Sequence, residues 1–133
     1  IKMSILLNIN KIEDINAIYL EINSLPSPNE IKKVSNDIKT IVMTEKKYVL
    51  YANHGSKSKI DFPSFEHFEV ITEILKESKI MIVSQLLGTV IQVQKLDSVT
   101  NLAKEIFLLV YKPIKPFAIT QSYEETVEFL KRL

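Results

Sequence analysis

The chain has no cysteine and no tryptophan, only two glycines, and a single arginine, Arg132. Without thiols, disulfides, thiolate metal sites and cysteine nucleophiles are all excluded. With glycine confined to Gly55 and Gly88, no glycine-rich phosphate loop can be built. Arginine is the planar fork that suits carboxylates, phosphates and base edges, so its scarcity lowers the expectation of those chemistries. A charge excess of one sign is missing too: seventeen basic residues against sixteen acidic ones leave a formal net charge of +1. Nucleic-acid partners usually require a basic excess, so none is expected. Long apolar runs are also lacking. Stretches such as 80–83 and 106–111 fall far short of the roughly 20 residues that a membrane span needs. Ile1-Lys2-Met3-Ser4 offers no small-residue cleavage site and is read as leading into a first strand, so the expected location is cytoplasmic.

What remains is the composition of an ordinary globular domain, 46% hydrophobic and 25% charged over 133 residues. One α/β domain spanning 1–133 is expected, since the length leaves no room for a second sizeable core. Residues 3–9 and 15–22 are rich in isoleucine and leucine, and the polar link from Asn10-Lys11 to Asp14 predicts a hairpin. Ser27, Pro28 and Glu30 then form a capping box with proline in the first turn. Ile31, Val34, Ile38, Ile41 and Val42 follow on one helical face.

Tyr48-Val49-Leu50-Tyr51 is β-prone and leads to Asn53-His54-Gly55. A second helix is predicted from Ser64, with Phe65, Phe68, Ile71, Ile74 and Leu75 as its apolar face. Residues 89–95 alternate as a strand, Ile91 and Val93 against Gln92 and Gln94. Residues 80–87 are open between a helical extension and an extra strand turning at Gly88. A third helix is predicted from about Val99 to Tyr111, stopped by Lys112-Pro113. Phe117-Ala118-Ile119 makes a short strand. Ser122 and Glu125 then suggest a second capping box, opening a helix lined by Tyr123, Val127 and Leu130. The order predicts a mixed, largely parallel sheet of about five strands with four helices and an N-terminal β-hairpin.

The last third of the chain carries a resemblance. Asp97-Ser98-Val99, Glu105-Ile106-Phe107-Leu108, Lys112-Pro113-Ile114-Lys115-Pro116, Ile119-Thr120 and the closing run from Tyr123 to Leu130 resemble small bacterial STAS/Sec14-like proteins. These are related to the anti-sigma-factor antagonists. Phe129 stands where that group often has tryptophan. The likeness covers roughly 46–133 and is clearest from 97 onward. It implies a mixed sheet packed by helices, often a dimer, and usually no known catalytic activity. Phosphorylation-switched members carry Ser or Thr beside Asp at a helix start, followed by Gly. Here Asp61-Phe62-Pro63-Ser64-Phe65 interposes proline and lacks the glycine, which speaks against Ser64 as such a switch.

Ligands of open α/β sheets favour the crevice outside the strands' carboxyl ends. Asn53, His54, Asp97, Ser98 and Thr120 are expected there, as the rim of a site for a small ligand or a partner's loop. Asp97, Ser98 and Ser122 also suit plain helix capping. His54 could serve as acid, base or ligand, yet no G-x-S-x-G elbow accompanies it. The pair His54 and His67 lacks metal-ligand spacing, so neither a metal nor a cofactor is expected. Phe107, Leu108, Val110 and Tyr111 extend the third helix's apolar face beyond one stripe. They are the expected contact with a second subunit or another protein, or alternatively the wall of a cavity for a small apolar ligand. The reading is a non-enzymatic STAS-like domain with a regulatory or protein-interaction role, with a small-molecule or lipid-binding module as the alternative.

Overall fold

The computed structural model describes residues 4–24, 26–44, 46–54, 86–93 and 115–133, with the side chain of His54 excepted. Within them lie five strands, β1 (Ile5–Ile12), β2 (Ile15–Ile22), β3 (Tyr48–His54), β4 (Leu86–Gln92) and β5 (Phe117–Thr120). Two helices accompany them, α1 (Pro28–Val42) and α2 (Tyr123–Lys131). The strands form one sheet in the order β1-β2-β3-β4-β5. The β1–β2 pair is antiparallel and the remaining three pairs are parallel. The expected mixed, mostly parallel sheet is therefore present. Two helices are found among the described residues, not the four expected. The predicted helices from Ser64 and over 99–111 lie outside those residues.

The hairpin is longer than its sequence suggests. Asn10 and Lys11 belong to β1, and Ile12 pairs directly with Ile15 across a two-residue turn. Glu13 and Asp14 make that turn at φ 50° and 67°. Positive φ at both central residues is the geometry whose twist matches a hairpin, and Asn-Gly usually supplies it. This glycine-poor chain uses Glu and Asp instead, so the usual signal is missing and the polar residues place the turn too early.

Side chains alternate across the sheet, and each helix covers one face. Ile18, Leu20 and Ile22 of β2, Leu50 and Ala52 of β3, and Ile91 of β4 pack with Val34, Ile38 and Val42 of α1. On the opposite face Ala17, Val49, Tyr51 and Val90 pack with Leu130 of α2. Burial on both faces explains why β3 and β4 read as nearly continuous apolar runs.

Gly88 lies inside β4 and does not turn the chain. Tyr48 pairs with Leu86 but Val49 pairs with Gly88, so Leu87 is a bulged residue. A Cβ at position 88 would sit 3.1 Å from the Pro116 carbonyl oxygen and 3.1 Å from Leu133 Cδ2. Next to it, Thr89 N donates to that same Pro116 oxygen at 2.9 Å. Glycine at 88 thus lets the approach to β5 come close to β4.

The start of α1 matches its sequence signature. Ser27 Oγ accepts from Glu30 N at 3.3 Å, and Glu30 Oε1 accepts from Ser27 N at 3.2 Å. Glu30 Oε2 also accepts from Ser4 N at 3.1 Å, tying the helix to the start of the sheet. The backbone donor of Ser27 is the main reason that the Glu30 carboxyl titrates below its ordinary value. A lowered folded-state pKa means stability that is present above the unfolded value and is lost as pH falls through the folded one. Ser27→Ala is expected to cost about 1 kcal/mol in urea denaturation at neutral pH. The wild-type advantage over Glu30→Gln should shrink as pH falls below the ordinary glutamate range. An advantage constant across that range would exclude a role for the ionised carboxylate.

Among the described residues, no helix is long and apolar enough to cross a membrane.

Candidate functional site

Register aligns four polar residues in a single row. Glu21 pairs with Asn53, Asn53 with Gln92, and Gln92 with Thr120. Strands β2 to β5 are parallel, so the row crosses all four near their carboxyl ends. Its side chains share the α2 face with Tyr51, because residues two apart along a strand point the same way. One step back lies the row Tyr19, Tyr51, Val90 and Ala118. The site is a polar rim resting on an aromatic floor.

The rim is wired by hydrogen bonds. The Tyr51 hydroxyl donates to Gln92 Oε1. Thr126 Oγ1 of α2 lies 2.9 Å from the same oxygen, 2.6 Å from Thr120 Oγ1 and 3.1 Å from the Ser122 carbonyl oxygen. With Gln92 Oε1 turned toward these hydroxyls, Nε2 is the group its amide has left to offer. Asn53 Nδ2 donates to the Tyr19 hydroxyl at 3.0 Å, and the two tyrosine rings meet edge to face at 5.1 Å. Burial, with the Tyr19 phenol alongside, pushes the Tyr51 pKa up to about 12. Tyr51 is therefore a neutral hydrogen-bond donor at physiological pH.

Helix α2 is placed by this network as much as by apolar contact. Ser122 Oγ accepts from Glu125 N at 3.2 Å, giving a single serine cap where a reciprocal capping box was expected. Tyr123, expected on the core face, is 53% exposed, whereas Thr126 is fully buried beside Leu130. Val127 and Leu130 of the expected stripe do pack on the sheet, and Thr126 takes the buried position beside them, over Gln92 and Thr120.

Of the residues expected at the crevice, Asn53 and Thr120 are brought into one row. His54 ends β3 with its backbone paired to Ile22. Its side chain, and the whole of Asp97, Ser98, Ser64, Phe107, Leu108, Val110 and Tyr111, lie outside the described residues. Sequence reasoning missed Tyr19, Glu21, Tyr51, Gln92 and Thr126 as site residues. The usable signal was parity: Tyr19 and Glu21, like Tyr51 and Asn53, are spaced two apart on neighbouring strands. Among the described residues, no group of three or more His, Asp or Glu could hold a metal ion. No family model matches the sequence, and the searches of curated proteins and of solved structures returned no match to this chain.

Proposed function

We propose that this chain is a non-enzymatic STAS/Sec14-like domain of the cytoplasm, acting through regulated protein contact, with the carboxyl-end polar row as its recognition surface. The observation that carries this reading is the row Glu21, Asn53, Gln92. It spans about 10 Å across three strands at the usual inter-strand spacing. An extended run of amide, phenol and carboxylate groups fits the alternating N–H and C=O of a partner's loop. The set is poor in acid–base chemistry, because Tyr51 stays neutral and its hydroxyl is committed to Gln92. A mixed sheet packed by helices is also the form that the family resemblance implies. The crevice position itself favours the second reading, a small-molecule-binding module.

Selecting binders to the chain from a random-peptide library separates the two. Recovered peptides are expected to shift the backbone resonances of Glu21, Asn53 and Gln92. Asn53→Ala is expected to weaken them about tenfold, the worth of one well-made hydrogen bond. A library without binders, beside small fragments that perturb the same resonances, supports the ligand reading instead. Peptides that map elsewhere and ignore Asn53→Ala overturn the proposed surface.

A further inference from the structure

Strand β1 is an eight-residue edge strand, and among the described residues no strand pairs with its outer side. Edges of this length are usually shortened, charged or covered, because their free N–H and C=O groups recruit another strand. Here the edge carries exposed apolar side chains, Ile9 at 54% and Leu6 at 40%.

The hydrogen-bond phase of the hairpin shows which groups face out. Asn23 N donates to Ser4 O at 2.8 Å, so Ser4 and Asn23 form a directly bonded pair. Antiparallel pairs alternate, so Leu6, Asn8, Asn10 and Ile12 also turn their backbone groups toward β2. The N–H and C=O of Ile5, Leu7, Ile9 and Lys11 therefore point outward. Their side chains all lie on the α1 face, where β1 and α1 bound a groove of about 200 Å³. Ile5, Leu7 and Val34 line it, with Glu30, Lys33 and Asp37.

We propose that a second copy of this chain occupies this edge, its β1 pairing antiparallel with the first about a two-fold axis at Asn8. The argument is self-complementarity. With Asn8 opposite Asn8 of the second copy, Ile5 faces Lys11 and Leu7 faces Ile9. All four outward-facing residues then bond and none is left over. The exposed Ile9 gains Leu7 of the other copy as its cross-strand neighbour. Lys11 of each copy lands opposite Ile5, next to Ser4, whose N–H donates to Glu30 at that end of the groove. Charge is thereby matched twice by symmetry. The five described strands of each copy join into one ten-stranded sheet. The surface lies on β1, apart from the polar row, so its fate is independent of the peptide-binding proposal.

Sedimentation of the full chain across the micromolar range tests the pairing, together with amide hydrogen exchange. A dimer is expected, in which the amides of Leu7, Ile9 and Lys11 gain protection as concentration rises. Those of Leu6, Asn8 and Asn10 should be protected at every concentration. Ile9→Pro removes an outward donor while sparing the β1–β2 ladder, and is expected to give a folded monomer by circular dichroism. Lys11→Glu sets two like-charge pairs across the axis and should raise the dimer dissociation constant about tenfold. A wild-type chain monomeric throughout that range overturns the proposal. So does a dimer that both substitutions leave intact, or one whose Leu7, Ile9 and Lys11 amides exchange freely.

Discussion

Leu130→Ala is expected to lower the unfolding free energy by about 3 kcal/mol, within the range for deleting a buried leucine side chain. Leu130 is 1% exposed and is the one large, fully buried side chain that α2 brings to the sheet. It fills the space over Ala17, Val49, Tyr51 and Val90. Ala17 and Val49 are too small to close over the void, so the cavity should persist and the cost should exceed the transfer term alone. Val127 and Phe129, only partly buried against the same cluster, should cost less on truncation. Urea denaturation followed by far-ultraviolet circular dichroism and by tyrosine fluorescence checks the prediction. Coincident transitions shifted to lower urea mean that α2 unfolds with the sheet. An earlier fluorescence change, from Tyr51 beneath the helix and Tyr123 on it, means that α2 detaches first. A loss below about 1 kcal/mol would contradict the tight docking of Leu130.

Each element was legible in the sequence to the extent that its determinants were local. The first helix carries cap, proline and apolar stripe within one stretch, and Ser27, Pro28 and Val34 are found in those roles. Strand β3 was legible because a doubly buried strand is simply a β-branched and aromatic run. Gly88 was not legible, because the residues before it suit a helical extension as well as a strand turning there. The reason for glycine is Pro116, a contact supplied by a distant segment. The candidate site divides along the same line. Asn53 and Thr120 were visible as polar residues ending strands. That Glu21, Asn53, Gln92 and Thr120 form a row is a statement about register, which no single strand contains. Thr126 was harder still. On a helical wheel it is one more polar position, and only the Gln92 and Thr120 beneath it explain its burial.

The second large effect is expected at that threonine. Thr126→Val keeps the shape and removes the hydroxyl at the centre of the network, and should cost about 2 kcal/mol. Proton counting shows why. A threonine hydroxyl has one proton to donate, and Thr126 Oγ1 has Gln92 Oε1, Ser122 O and Thr120 Oγ1 within reach. At 2.6 Å one of the two threonine hydroxyls donates to the other, and the geometry allows either direction. Gln92 keeps its Tyr51 donor when Thr126 becomes valine. Thr120 keeps nothing comparable: it is only 5% exposed, and its hydroxyl is left without that partner. Much of the penalty is thus the stranded Thr120 hydroxyl and not the worth of the bond. A double-mutant cycle isolates it, because Thr120→Val removes the stranded group as well. The double variant is expected to be no less stable than Thr126→Val alone, a coupling of about 1 kcal/mol or more. Single costs that instead add to within about 0.5 kcal/mol would show that the two threonines act independently and that α2 is held by its apolar contacts.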